Sequence, residues 1–348
     1  MFRCIEQLFT NRDGMTSFDR QDTTHAAVRV ARLYYFQRLT TAAIAAELGT
    51  SRATVSRLLS YAMENGLVEI RVHDPQAQPQ QLETQLRERY GLRSAQVVPI
   101  PAGASEEDSL KRVAIQAGAY LNSLIVSDTV LGVAWGNTVA AIAENLVQKR
   151  VHDVDIVQLN GSGTGHSIVN TFGESIVLRF AQNYGARGHS FPVPAFFDYA
   201  ETRQALWRER SVQRLRELQE RADVLLFSIG AAETGSYVHT GGYLDAAEFR
   251  AVQNDGVVGD IATVFFRHDG SWRDVALNAR SSGPGLDSFQ RAAHSICVVS
   301  GRGKLPGLRA ALRGAFINEL VIDEPTAGLL VDSDEPLGKE SRRAGKKT

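Results

Sequence analysis

The spacing of apolar positions changes character once along this chain. Between residues 22 and 62 they recur at three- and four-residue steps: Ala27, Val30, Ala31, Tyr34 and Tyr35, then Ile44, Ala45 and Leu48, then Val55, Leu58, Leu59 and Ala62. This is the period of amphipathic helices, and it predicts three short ones. Asp22 or Thr23 is placed to cap the first, Thr40 or Thr41 the second and Ser51 the third, each side-chain oxygen accepting from an otherwise unpaired N–H of the first turn. Gly49 falls between the second and third helices, where a left-handed residue ends a helix without steric cost. Asn65-Gly66 closes the third, and Leu67–Val72 alternates apolar and polar like a short strand or wing.

After residue 94 the pattern becomes short, nearly continuous apolar runs separated by helical stretches. Strands are predicted over Ala95–Val98, Thr129–Ala134, Asp155–Leu159, Val224–Ile229, Ile296–Val299 and Leu320–Ile322. Helices are predicted over Ser109–Leu124, Thr138–Lys149, Ile168–Asn183, Val212–Arg221 and Leu305–Arg313. Such alternation implies a mostly parallel sheet, and strands apolar on both sides imply that helices cover both of its faces. The two halves are joined by His73–Gln81, rich in proline and glutamine, and then by Leu82–Tyr90. That amphipathic segment either pairs with a second subunit or packs on its own domain. The domain plan is therefore a flexible lead (1–21), a helical domain (22–73), a linker (74–81), an α/β domain (82–335) and a polar basic tail (336–348).

Composition narrows the class. The 348 residues are 43% apolar and 22% charged, ordinary for a globular protein with a sizeable core. No apolar run approaches the roughly 20 residues of a membrane span, and no secretory leader is evident. Cys4 and Cys297 suit neither a disulfide framework nor a metal site, so no metal, no cofactor and a cytoplasmic location are expected. The net charge of −1 is unevenly spread: Arg20–His73 carries seven arginines against four acids, and Pro336–Thr348 five basic residues against Glu340. A basic front on an acidic body points to local phosphate contact.

Helix, helix, tight turn, helix and wing is the order of a helix-turn-helix, whose last helix enters the DNA major groove by its N-terminal residues. With Val55 and Leu58 inward, Ser51, Arg52, Thr54, Ser56 and Arg57 are expected mostly outward. With Thr41 they form the candidate DNA-binding set. Arginine can bond guanine bidentately, and hydroxyls suit phosphates.

In the second half, ligands are expected at the carboxyl ends of the strands. The loops there are marked by glycine: Trp135-Gly136-Asn137-Thr138, Asn160-Gly161-Ser162-Gly163-Thr164-Gly165, Gly230, Gly259-Asp260-Ile261-Ala262 and Ser300-Gly301-Arg302-Gly303-Lys304. A helix beginning near Asn137 or Thr138 would present free N–H groups to an anion or a sugar hydroxyl. The glycine loops match neither GxGxxG nor a P-loop. Asn137, Thr138, Ser162, Asp260 and Lys304 together offer hydroxyls, an acid for diols and a lysine for phosphate.

Arg32–Val72, with its Tyr-Tyr pair, LT, IA, LG, SR and VSRLL, resembles the N-terminal reader of the SorC family of bacterial sugar-responsive transcriptional regulators. Gly132–Thr138, Gln158–Gly163, Ser228–Gly230, Val257–Phe266 and Gly301–Ala327 resemble that family's effector domain. The resemblance implies a small all-α winged helix-turn-helix domain followed by a Rossmann-like, mostly parallel α/β domain related to sugar-phosphate isomerases. It further implies that Gly136, Asn137, Thr138, Gly161, Ser162, Gly163, Asp260 and Lys304 line a pocket for a sugar, sugar phosphate or polyol. Double-stranded operator DNA would be the partner of a homodimer or homotetramer. Gly301-Arg302-Gly303 stands where the family usually has paired glycines, and no Arg or Lys lies between Ala231 and Phe249, where only His239 is basic. Both departures argue against a bisphosphate and leave a monophosphate, a free sugar or a polyol open. Glu233, His239 and Asp245 are an alternative acid/base set, as in a sugar-phosphate isomerase-like enzyme with an accessory DNA-binding domain. The attached reader makes sensing sufficient, so no catalytic residue is assigned.

Overall fold

The computed structural model describes residues 17–68, 78–162, 172–231, 244 and 246–332. The chain divides into two compact units, Met1–His73 and Asp74–Thr348.

In the first unit α1 runs Ser17–Ala31 and continues into a π-helical turn, Arg32–Phe36. The helix thus starts five residues before Asp22, inside the segment expected to be a flexible lead. Neither Asp22 nor Thr23 is a cap, and Thr23 is buried. Helix α2 spans Thr41–Leu48 with Thr40 as its cap, the hydroxyl accepting from Ala43 N at 3.2 Å. Gly49 follows at φ 63°, while Gly49 N and Thr50 N return to the carbonyls of Ala46 and Ala45; this paired closure needs a left-handed residue between its two bonds. Ser51 then caps α3, Arg52–Glu64, accepting from Thr54 N at 3.1 Å. Val30, Ile44, Val55, Leu58 and Ala62 meet in one core from which water is excluded. Leu67 N and Val68 N both bond Ala62 O, folding the chain back off α3. The rest of the expected wing (69–72) and residues 74–77 of the linker lie outside the described residues, as do residues 1–16 of the lead and the basic tail.

The second unit begins with α4, Gln78–Tyr90, which starts within the expected linker. The helix packs on its own domain: Leu82 and Leu86 enter the core, Glu83 Oε1 accepts from Val97 N at 2.9 Å and Tyr90 OH donates to Leu330 O at 3.2 Å. There follow β1 (Ser94–Val98), α5 (Glu106–Leu124), β2 (Val130–Val133), α6 (Asn137–Asn145), β3 (Asp155–Gln158), α7 (Phe172–Tyr184) and β4 (Arg187–His189). The chain continues with α8 (Ala200–Leu206), α9 (Arg210–Glu220), β5 (Val224–Phe227), β6 (Gly230–Ala231), α10 (Ala246–Asn254), β7 (Val257–Ile261) and β8 (Val264–Arg267). It closes with α11 (Asp287–Arg291), β9 (His294–Val299), α12 (Leu305–Arg313), β10 (Glu319–Asp323) and α13 (Glu324–Val331).

Seven strands form a fully parallel sheet in the order β1-β10-β9-β5-β2-β3-β4. Each central strand divides its side chains between two cores: Leu225, Phe227, Cys297, Val299, Leu320 and Ile322 face one, and Leu131, Leu226, Ile296, Val298 and Val321 the other. Burial on both faces explains why these strands read as unbroken apolar runs. At Gly132 a Cβ would lie 2.7 Å from Leu159 and 2.8 Å from Leu225, so the strand needs a bare backbone there.

The topology sets up the site. From β2 the sheet grows through β3 and β4 to one edge, and from β5 through β9 and β10 toward the other. The β2–β5 pair is therefore a switch point, where the loops leaving the two strands diverge and open a crevice. A second sheet, β6-β7-β8, is antiparallel.

Candidate functional site

In the first unit, Arg52, Ser56 and Arg57 are exposed on α3, and Thr41 is half-buried at the start of α2. Ser51 is exposed too, but its oxygen is committed to the cap and lies 2.9 Å from Thr54 Oγ1. Thr54 departs from the expected outward set: it is 0% exposed and packs at the α3 N-terminus beneath Ser51. Helical periodicity puts it next to Val55 on the inner side, and a threonine capped this way hides its hydroxyl. Of the expected outward residues within α3, Arg52, Ser56 and Arg57 are therefore the exposed ones.

In the second unit, the carboxyl ends of β2 and β5 open into a cleft of about 250 Å³. Its walls are Ala134–Thr138 after β2, Asn160 after β3, Ser228–Ala231 after β5, Asp260, Ala262 and Thr263 from the β7–β8 hairpin, and Lys304 after β9. Gly136 precedes α6 at φ 153°, a conformation rarely open to a side chain, and turns the first free N–H groups of the helix toward the cleft. Thr138, the second residue of α6, is buried.

Lys304 reaches across from the other side. Its Nζ donates to Thr138 Oγ1 at 2.9 Å and to Ser228 Oγ at 2.8 Å. Each hydroxyl, having accepted from the ammonium, keeps its own proton to give to a ligand. Burial lowers the Lys304 pKa, opposed by the charge of nearby Asp260 and Asp323. The loop carrying it is anchored by Gly301 N, at φ 92°, donating to Asp323 Oδ2 at 2.8 Å.

Asp260 is 8% exposed, and burial pushes its pKa up to about 6 against the opposing influences of the Thr263 N–H and the Lys304 charge. Its Oδ2 accepts from Thr263 N at 3.0 Å. The carboxyl is seated over Gly230, whose added Cβ would collide with it, so Gly230 is required by its β6–β7 partner. The hairpin turn itself, Ala262-Thr263, holds φ 48° and 67°. A β-branched residue at positive φ is strained, and such strain persists only where surroundings enforce it. Here Thr263 Oγ1 bonds Ala262 O at 2.5 Å and lies 3.1 Å from Ser281 Oγ.

Of the candidate effector residues, Gly136, Asn137, Thr138, Asp260 and Lys304 thus share one cleft. Gly161 and Ser162 are buried beside it with their groups engaged: Gly161 N donates to Ser282 Oγ at 2.9 Å, Trp135 Nε1 donates to Gly161 O at 2.8 Å, and Ser162 Oγ is 3.4 Å from Gln158 Nε2. Gly163 lies outside the described residues, as do His166, Glu233, His239 and Asp245. Sequence reasoning passed over Asn160, Ser228 and Thr263 as site residues. Asn160 follows the predicted strand Asp155–Leu159, which was the available signal; Ser228 sat inside the predicted strand Val224–Ile229 and Thr263 had no signal either, because Ala-Thr lacks the turn chemistry that announces a two-residue hairpin.

Comparison with known proteins agrees with this architecture. Residues 74–332 match the sugar-binding domain family (Sugar-bind), and residues 29–65 match region 4 of sigma-70. The deoxyribonucleoside regulator of Bacillus subtilis strain 168 is 35% identical over 308 residues, 88% of this chain and 97% of that protein. Among solved structures, a domain of a possible sugar-binding transcriptional regulator from Arthrobacter aurescens TC1 is 42% identical with a TM-score of 0.70, over 74% of this chain and all of that one. The full-length sorbitol operon regulator SorC from Klebsiella pneumoniae is 28% identical with a TM-score of 0.67, over 89% of this chain and 99% of that one.

Proposed function

The chain belongs to the SorC family of sugar-binding transcriptional regulators, and from that premise we propose how its parts divide the work. It is a DNA-binding regulator whose operator affinity is set by a sugar-type effector, acting in the cytoplasm as a homodimer or homotetramer. Arg52, Ser56 and Arg57 contact operator DNA, with Thr41 beside them and with Ser51 and Thr54 fixing the start of the reading helix. The effector occupies the cleft between the β2 and β5 loops. Its anionic or most polar end lies at the α6 N-terminus against Asn137, Thr138 and Lys304, and its hydroxyls lie toward Asp260. Gly161 and Ser162 shape the neighbouring wall.

The observation that carries this reading is the convergence of Lys304, two hydroxyls and a helix N-terminus on one crevice at the sheet's switch point. That donor-rich arrangement suits a sugar monophosphate best and leaves no second cluster of cations, among the described residues, for a bisphosphate. A ligand held there alters DNA affinity only by the free energy with which it prefers one arrangement of paired readers, whose half-sites must lie about one helical turn or a multiple apart.

The test uses the full-length chain. DNA fragments selected by it from a random-sequence pool are titrated by fluorescence anisotropy with and without pentoses, hexoses, polyols and their monophosphates. A sugar-derived compound that changes affinity several-fold is expected. A flat response across the panel would sink the effector reading, and isomerisation of a panel member by the chain lacking residues 1–73 would restore the enzyme alternative.

A further inference from the structure

We propose that Asn160 accepts a hydrogen bond from a hydroxyl of the effector and so makes the cleft select a hydroxylated ligand over the matching deoxy compound. The proposal deepens the effector reading above and rests on it.

Asn160 is 1% exposed, and its side-chain Oδ1 is fully buried with no hydrogen-bond partner among the described residues. A buried amide oxygen left unpaired costs about 1–3 kcal/mol, so its retention calls for a reason. Its position supplies one, since Asn160 lines the cleft two residues after β3. The residue is also held there. Its backbone carbonyl accepts from Gln158 Nε2 at 2.7 Å, and the next residue, Gly161, is clamped by Ser282 and packed so closely that a Cβ would come within 2.6 Å of Pro194 O. The side chain cannot escape to solvent by a small shift of the loop.

The rest of the cleft presents mainly donors: the α6 N–H groups, the Lys304 ammonium and the free protons of Thr138 and Ser228. Those suit the anionic or oxygen-rich face of a ligand. A sugar hydroxyl must also give its proton to something, and few acceptors face this space. Asp260 spends Oδ2 on Thr263 N and keeps its other oxygen, Asn137 is exposed, and Asn160 Oδ1 is the side-chain oxygen of the lining that is both buried and unpaired among the described residues. A site that keeps a buried acceptor unpaired discriminates against a ligand lacking the hydroxyl, because that acceptor then stays unpaired in the complex as well.

The experiment measures binding by isothermal titration of glucose 6-phosphate and ribose 5-phosphate, and of the 2-deoxy analogues of each and the 3-deoxy and 4-deoxy analogues of the former. The proteins are the wild type, Asn160→Leu, which matches the volume without the amide, and Asn160→Asp, which keeps an acceptor in place; melting curves establish that each variant is folded. In the wild type, one deoxy position should weaken binding by roughly 5- to 150-fold, the range of an unpaired buried acceptor. That penalty should vanish in Asn160→Leu, where parent and deoxy ligand bind alike, and return in Asn160→Asp. If Asn160→Leu binds parent and every deoxy analogue with the same ratios as the wild type, Asn160 reads no hydroxyl and the proposal is overturned while the cleft reading stands. If no compound binds the wild type, the cleft reading fails and takes this assignment with it.

Discussion

Removing the charge of Lys304 tests the cleft at the point where its chemistry is most specific. Lys304→Met keeps the length of the stem and deletes the ammonium. In the unliganded protein this loses hydrogen bonds to Thr138 Oγ1 and Ser228 Oγ, each about 1.5–3 kcal/mol when one partner is charged. It also relieves the burial of an ammonium, an opposing term of several kcal/mol whose presence is visible in the lowered Lys304 pKa. The two nearly cancel, so the melting temperature should move by no more than about 4 °C, the equivalent of 1–2 kcal/mol in a domain this size. An anionic ligand has no such compensation. It loses an ion pair on top of one charge-assisted bond, whereas a neutral sugar hydroxyl loses only its bond to the ammonium, about 10- to 150-fold in Kd. Calorimetric titration of a phosphorylated and a free form of the same sugar, on both proteins, reads the two losses. An equal loss on the two ligands, or none, would refute the assignment of Lys304 to an anion. A second readout follows from Asp260, whose carboxyl is held down in part by the Lys304 charge: in Lys304→Met the pH below which effector affinity declines should move upward.

The remaining predictions concern both units. Effector affinity should rise with pH up to about 6 and level off above. A hydroxyl donating to the Asp260 carboxylate favours its ionised form, so the bound pKa lies below the free value of about 6, and Asp260→Asn should flatten the profile in a titration between pH 5 and 8. Arg52→Ala, on an exposed side chain, should weaken DNA binding and lower the slope of log affinity against log salt by about 1; an unchanged affinity and slope would remove Arg52 from the interface. Ser51→Ala should cost about 0.5–2 kcal/mol of the first unit's stability through loss of the α3 cap, read by thermal melting of the full chain with DNA affinity falling in parallel.

Much of this protein is written in its periodicities. The three-and-four spacing of Ile44, Leu48, Val55 and Leu58, with Gly49 and two hydroxyl caps, determined the helix–turn–helix. It did so because local bonds and one apolar stripe are all such a unit needs. The runs around Leu131, Leu226 and Val298 likewise announced a sheet buried on both faces, and Leu305–Arg313 forms a helix with the bounds its pattern predicts. Three things waited for the tertiary structure. Thr54 stands beside inward Val55 in the helical period, but whether its hydroxyl reaches the surface was decided by the packing beneath the Ser51 cap. The start of α1 at Ser17 lies well ahead of Ala27, where the apolar period begins. Most of all, periodicity is silent on strand order. Only the order β5-β2-β3 brings Gly136, Ser228 and Asn160, 24 to 92 residues apart, around one crevice, and only the β7–β8 hairpin with its strained Ala262-Thr263 turn sets Asp260 over Gly230. Local spacing fixed which residues carry the chemistry; long-range pairing decided which of them face the same ligand.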